Sequence, residues 1–288
     1  MPRMEPAGEV LETVRAALEE DRADADRTTR AVVPDDRKAR GRILARAEGV
    51  LSGVAYATAA FRLCDPAVEL EWLAEDGDRV QAGEVVLRCS GLAAGLLAAE
   101  RTALNFLQQL SGVATATARM VAAAGPGLEL LDTRKTVPGL RAAQKQAVVH
   151  GGGRNHRRDL EDQLLLKENH FALSGLSYAE TVRQAVAAAE GRVVGVEAET
   201  EEQAIAALEN GASYVLLDDF PDDTLAEVIA RLRRSHPGAV IEVSGGVRLE
   251  RVAHLRHSGA DRISVGWITH SAPALDLSFG LERAAGPS

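Results

Sequence analysis

The chain has 288 residues, is 46% hydrophobic and 26% charged, and carries a formal net charge of -9; this suits a water-soluble globular protein, either one large α/β domain or one barrel-sized domain with a smaller companion. The acidic balance excludes a general nucleic-acid binder, which needs a broad basic surface. No run approaches the roughly 18 apolar residues of a membrane span, and MPRMEPAGEV leads into an acidic helix-like stretch without an apolar signal core, so a cytoplasmic protein is expected.

In chain order, residues 9–20 predict an amphipathic helix, and VELEWLAEDGDRVQAGEVVLRCSG predicts alternating strands with turns at Asp76-Gly77 and Ala82-Gly83. Together they read as an antiparallel sheet with helices on one side. Cys64 and Cys89 lack CxxC spacing and a nearby His pair, and read as reduced structural thiols. A helix from Ala99 to about Ala124, with Leu104, Leu107 and Leu110 on one face, leads onward. Short apolar runs then alternate with helical periodicity. Strands are predicted at Leu128–Leu131, Leu164–Leu166, Val193–Val196, Tyr214–Leu217, Val240–Val243 and Ile263–Val265, with crossover helices in YAETVRQAVAAAE, EEQAIAALENG and DDTLAEVIARLRR. This is the signature of a parallel sheet, as a complete or open β/α barrel or a doubly wound sheet.

The residues after the strands favour the barrel. The runs end in Asp132-Thr133-Arg134-Lys135, Lys167-Glu168-Asn169-His170, Glu197, Asp218-Asp219, Ser244-Gly245-Gly246 and Gly266. The C-terminal strand ends of a barrel build its active site, so these groups are expected at one mouth. Charge is concentrated there too: Arg134 to His170 holds eight Lys/Arg against four Asp/Glu, and three of the seven His. A solvated basic face is the ordinary explanation for such a segment, but cations set among glycines and strand ends point to a small anionic ligand.

The late glycine loops, VSGGV and SVG, suit a backbone nest for phosphate, which often binds after the last two barrel strands; taken singly they read as tight turns. Glu197 and Asp218 suit a divalent cation, ribose hydroxyls or a developing positive charge, whereas Asp219 reads equally as a helix cap. Lys135 and Lys167 suit anion clamping or, with a depressed pKa, Schiff-base chemistry. In GGGRNHRRDL, Arg154, His156, Arg157 and Arg158 favour two-point recognition of carboxylates, with His156 read equally as a buried, hydrogen-bonded histidine.

The strings ERTALNFLQQLSGVATAT, LLDTRKTVPGLRAAQK, GGGRNHR, LLLKENH, EVSGGV and ISVGWITHSAPALDLSF, in this order, resemble the quinolinate phosphoribosyltransferase family from about residue 9 to about 280. The resemblance implies an N-terminal α/β sandwich (residues 1–110, with a tail at 271–288 packing on it) and an open α/β barrel (111–270). It implies a pentosyltransferase of NAD biosynthesis that joins quinolinate to phosphoribosyl pyrophosphate with Mg2+ and releases CO2, acting as a homodimer. Arg101 would reach into the partner's site, and Arg134, His156, Arg157 and Lys167 would hold the carboxylates of quinolinate. Lys135, Glu197 and Asp218 would face pyrophosphate, metal and ribose, and Ser244, Gly245, Gly246, Gly266 and His270 the 5-phosphate.

Four positions depart from the family pattern: Gln146 replaces an aromatic, Asp219 an Asn and Trp267 a small residue, and Arg154 is unusual for its place. The departures keep open a phosphoribosyltransferase for another aromatic acid and an inactive ligand-sensing dimer, and Lys167 separately keeps open a Schiff-base aldolase or decarboxylase.

Overall fold

The computed structural model describes residues 8–284. The first seven residues, on which the absence of a signal core was partly read, and the last four of the expected tail lie outside them. The chain divides into two compact units. The first draws on residues up to Ala116, on Pro138–Gly151 and on the residues from Ala272 onward; the second comprises Thr117–Val137 and Gly152–Ser271.

The first unit contains helices α1 (Gly8–Glu20) and α2 (Arg27–Val32), strands β1 (Lys38–Ala45) and β2 (Gly49–Val50), helix α3 (Val54–Cys64), and strands β3 (Glu69–Trp72), β4 (Arg79–Val80) and β5 (Val85–Leu92). Helix α4 (Ala93–Ala124) carries the chain out of it. α4 begins six residues before the expected Ala99, because Ala93 and Ala94 are strong helix formers and the Asp65 carboxylate takes the Leu92 N–H at 2.9 Å. β12 (Leu277–Arg283), near the end of the chain, completes a four-stranded antiparallel sheet in the order β12-β1-β5-β3. Along β1 burial alternates, with Ala39, Ile43 and Ala45 inside and Lys38, Arg40 and Arg42 exposed, so one face is covered and the other solvated. Phe61 of α3 and Phe279 of β12 meet with ring centroids 5.6 Å apart, which seats the helix on the covered face.

The second unit takes up β6 (Glu129–Leu131). The chain then returns to the first unit for α5 (Arg141–His150), a segment expected within the barrel; its buried Ala147 and Val148, and a 2.9 Å hydrogen bond from His150 Nδ1 to Ser52 Oγ, tie it there. The remaining elements are β7 (Leu164–Leu166), α6 (Glu168–Ser174), α7 (Tyr178–Ala188), β8 (Val194–Ala198), α8 (Glu201–Glu209), β9 (Tyr214–Asp218), α9 (Asp222–Ser235), β10 (Val240–Ser244), α10 (Leu249–Leu255), β11 (Arg262–Ser264) and α11 (Trp267–His270). Their strands form one parallel six-stranded sheet, β6-β11-β10-β9-β8-β7, whose outermost members are not paired with each other. This is the expected open α/β barrel, with each strand within two residues of its predicted bounds at either end.

Local chemistry sets the starts of the helices. Ser177 and Glu180 form a reciprocal capping box at α7, and the Thr200 hydroxyl accepts the Gln203 N–H at α8. Leu225, Val228, Ile229 and Leu232 line the buried stripe of α9, at the spacing of one helical face. Burying each such side chain contributes about 1.5–3 kcal/mol. No helix among the described residues is long and apolar enough to cross a membrane.

Candidate active site

The two-residue period of a strand places Lys167, Glu197, Asp218 and Ser244 at the C-terminal ends of neighbouring strands. In register, Asp218 of β9 lies directly opposite Ser244 of β10. A cavity of about 590 Å³ opens there, lined among others by Arg134, Lys135, His156, Arg157, Lys167 and Asp218, and by Ser244, Gly245, Gly246, Gly266 and His270. A depression of similar size on the solvated sheet face of the first unit sets Arg40, Arg42 and Arg88 against Glu69, Glu71 and Glu282. There the charges cancel; at the barrel mouth cations predominate.

The cationic wall is built from the segment between α5 and β7. Leu131 of β6 forms an isolated parallel bridge with Arg154, and the Asp132 carboxylate takes the His156 N–H at 2.8 Å. The run GGGRNHR thereby follows the unpaired edge of β6 and delivers His156 and Arg157 to the cavity. The Arg154 guanidinium itself turns to Glu129, at 3.0 Å, in an exposed pair of little energetic weight. Arg157 donates to the Gln163 carbonyl at 3.2 Å. Burial, then the nearby charge of Arg134, pushes the Arg157 pKa down, so two guanidiniums share a partly buried place. An anion between them relieves both costs.

His156 is held from every side. Its Nδ1 accepts the Arg157 N–H at 2.7 Å, which puts the ring proton on Nε2. Nε2 lies 3.2 Å from the Tyr214 hydroxyl and 3.4 Å from Glu242 Oε1. Tyr214 reaches this point because Gly195 on the neighbouring strand leaves room for its ring; a β-carbon there would come within 2.2 Å of Tyr214 Cζ. Burial, then the charge of Glu242, raises the Tyr214 pKa, which keeps the hydroxyl protonated. Glu242, 0% exposed as a side chain, meets Arg262 Nε at 2.7 Å, an ion pair whose atoms are not aligned as a hydrogen bond. Arg262 also lies over the Tyr214 ring, 4.1 Å from its centroid. His156 is therefore buried and hydrogen-bonded, as one of its two readings had it, and it also lines the cavity.

Lys167 and Glu197 form a hydrogen-bonded ion pair across β7 and β8. Burial raises the Glu197 pKa and the Lys167 ammonium opposes the shift. Asp218, whose charge adds to the rise, lines the cavity with Lys167, whereas the Glu197 side chain, 9% exposed, is not part of the lining. No group of three or more His, Cys, Asp or Glu suited to a metal is present among the described residues. Two carboxylates near a cavity fit Mg2+ that arrives largely coordinated by substrate oxygens and water, rather than an ion caged by protein.

The glycine loops complete the lining. Gly245 and Gly246 adopt φ of 89° and 54°, and a β-carbon on Gly245 would fall 2.0 Å from Asp219 Oδ1. Asp219 itself has φ 54°, a left-handed conformation that Asp and Asn both tolerate, which accounts for one departure from the family pattern. The Lys135 stem and the His270 ring lie against Gly266, and the Thr269 hydroxyl anchors the Lys135 carbonyl at 2.8 Å. Arg251 ties the Gly245 loop to the segment after β9, pairing with Asp222 at 2.8 Å and donating to the carbonyls of Phe220 and Gly245. Trp267 lines the cavity, whereas Gln146 sits on α5 with Nε2 3.1 Å from His150 Nε2. Arg101 is exposed on α4 in the first unit.

Asp132 was expected at the mouth with no role of its own, and Tyr214, Glu242 and Arg251 were not among the residues singled out from sequence. Glu242 carried a signal, a carboxylate inside the otherwise apolar run AVIEV; the other two looked ordinary.

An open parallel barrel whose strand ends bring cations, paired acids and glycine loops to one cavity defines an α/β-barrel enzyme for phosphorylated, acidic substrates. Residues 26–111 match the model of the quinolinate phosphoribosyl transferase N-terminal domain and residues 113–280 that of the C-terminal domain. The chain belongs to the quinolinate phosphoribosyltransferase family. It is 42% identical to a probable carboxylating nicotinate-nucleotide pyrophosphorylase of Archaeoglobus fulgidus, over 82% of this chain and 92% of that one. It is 39% identical to the carboxylating nicotinate-nucleotide pyrophosphorylase of Mycobacterium leprae, over 94% and 96%. The solved structure of the nicotinate-nucleotide pyrophosphorylase from Francisella tularensis superposes with a TM-score of 0.90 at 34% identity, covering 98% of this chain and all of that one.

Proposed function

We propose that the protein is a carboxylating nicotinate-nucleotide pyrophosphorylase, a pentosyltransferase of NAD biosynthesis. It converts quinolinate and phosphoribosyl pyrophosphate into nicotinic acid mononucleotide, pyrophosphate and CO2. The observation that carries this reading is the make-up of the cavity: Arg134, Arg157 and Lys167, the two late glycine loops and Asp218 all line one space. That combination suits a planar dicarboxylate together with a phosphorylated sugar.

Arg134, Arg157 and Lys167 hold the carboxylates of quinolinate, with His156 bracing Arg157 and presenting its ring to the acid. Ser244, Gly245, Gly246, Gly266 and His270 hold the 5-phosphate. Glu197 and Asp218 would hold Mg2+, which when bound neutralises charge on the diphosphate. Lys135 meets the same leaving group. As the C1–oxygen bond breaks and the electron pair leaves with pyrophosphate, Asp218 and Glu197 stabilise the positive charge growing on the ribose. The pyridine nitrogen then bonds to C1. The ring-bound cation accepts the electrons left when the adjacent carboxylate departs as CO2, and that ring carbon takes up a proton.

The enzyme acts in the cytoplasm as a homodimer, with Arg101 supplied to the partner's site. A panel of pyridine and benzene carboxylic acids assayed with phosphoribosyl pyrophosphate and Mg2+ tests the reading. Quinolinate is expected to give the highest kcat/KM with one CO2 per nucleotide. Faster turnover of another acid, without CO2, assigns the protein to a different substrate.

A further inference from the structure

One cation at the cavity has no place in the scheme above. Arg248 lines the wall two residues beyond Gly246, and its guanidinium carbon lies 5.5 Å from the centroid of the Trp267 ring. Trp267 directly follows Gly266. The stacked pair thus joins the two glycine loops, with a positive charge between them. Neighbouring arginines are neutralised: Arg251 by Asp222 at 2.8 Å, Arg262 by Glu242 at 2.7 Å and Arg233 by Asp261 at 2.6 Å. Among the described residues, Arg248 meets the indole and no carboxylate. A ring face holds a guanidinium in place without cancelling its charge, so the fork stays available to an incoming anion. The bulky residue at 267, out of pattern for a phosphate loop, and the exposed arginine at 248 then have one shared explanation.

We propose that Arg248, seated on the Trp267 indole, is a further substrate-binding residue that contacts the terminal phosphate of the phosphoribosyl donor and sets the preference for a phosphorylated sugar. This rests on the reading of the glycine loops as the 5-phosphate end of the site.

The test uses the full-length protein carrying Trp72→Phe, which leaves Trp267 as the sole tryptophan of the original two. Ribose 5-phosphate is titrated against indole emission, with ribose as the control, in this parent and in its Arg248→Gln and Arg248→Lys derivatives. Ribose 5-phosphate, and not ribose, is expected to change the emission saturably. Arg248→Gln should weaken that binding about tenfold or more, with Arg248→Lys between the two. The KM for phosphoribosyl pyrophosphate should rise in parallel and more than kcat falls, with the KM for quinolinate little moved. Absence of ribose 5-phosphate binding by the parent, or equal affinity and equal KM in parent and Arg248→Gln, overturns the proposal. Arg248-dependent binding in a protein that forms no nucleotide from quinolinate would sink the reaction assigned above and leave the role of Arg248 standing.

Discussion

Lys167 and Glu197 are hydrogen-bonded to one another across adjacent strand ends, so a cation assigned to the acid substrate is already partnered when the cavity holds no ligand. A dicarboxylate entering beside Arg134 and Arg157 must share Lys167 with Glu197 or displace it. Burial raises the Glu197 pKa above its ordinary 4.5, so this carboxylate takes up its proton at a higher pH than an exposed glutamate does. On acidification the ion pair and the negative charge proposed to act on the ribose are lost together. The kcat/KM profile, which reports the free enzyme, is therefore expected to fall on an acid limb whose midpoint lies above that of an exposed glutamate. In Glu197→Gln that limb should vanish, with kcat/KM about a hundredfold lower at every pH. An unchanged limb in the variant removes Glu197 from the mechanism.

Asp218 faces the same cavity directly. Asp218→Ala is expected to lower kcat by about 10²–10³, the range for loss of one preorganised charge at a transition state. It should also raise the Mg2+ concentration needed for half-maximal rate. Quinolinate affinity, measured by calorimetry, should change little.

Gly245 has no room for a side chain, because a methyl group would strike the Asp219 carboxylate and its φ is 89°. Gly245→Ala is expected to cost about 1–3 kcal/mol of stability by thermal unfolding and to raise the KM for phosphoribosyl pyrophosphate. Gly238, where a β-carbon meets nothing within 4 Å, serves as the control for the same substitution.

Tyr214→Phe keeps the ring that fills the space over Gly195 but removes the hydroxyl 3.2 Å from His156 Nε2. His156 then loses one of the groups fixing its ring. The expected result is a several-fold rise in the KM for quinolinate, with that for phosphoribosyl pyrophosphate nearly constant. The opposite split would place His156 at the phosphate end.

A site shared between two copies of the chain predicts complementation. Arg101→Ala and Lys135→Ala should each be inactive as homodimers. Unfolding and refolding an equal mixture should recover about one quarter of the native rate, because half of the dimers are mixed and each mixed dimer has one intact site. No recovery means that each chain builds its site alone.

The barrel was legible because each strand is a short apolar run ended by a functional residue, and each helix carries its own periodicity and cap. Lys167, Glu197, Asp218 and Ser244 could be named from position alone, since a parallel strand presents its C-terminal residue at the mouth. β1 and β12 were less legible. KARGRILA sets arginines against small residues and looks like a charged loop until LSFGLER pairs with it from the far end of the chain. The brace around His156 was hidden for a related reason: Tyr214, Glu242 and Arg262 lie on three strands and become neighbours only through sheet register. Of the departures from the family pattern, sequence could list Gln146, Arg154, Asp219 and Trp267. Only geometry separated the two that line the cavity, Asp219 and Trp267, from Arg154, taken up by Glu129, and Gln146, hydrogen-bonded to His150.

The most direct measurement is a crystal structure of the protein with quinolinate and a non-hydrolysable phosphoribosyl pyrophosphate analogue. The account predicts both in one cavity, the pyridine carboxylates on Arg134, Arg157 and Lys167 and the 5-phosphate at Gly245, Gly246 and Gly266. Either ligand bound elsewhere, or the two ends exchanged, would contradict it.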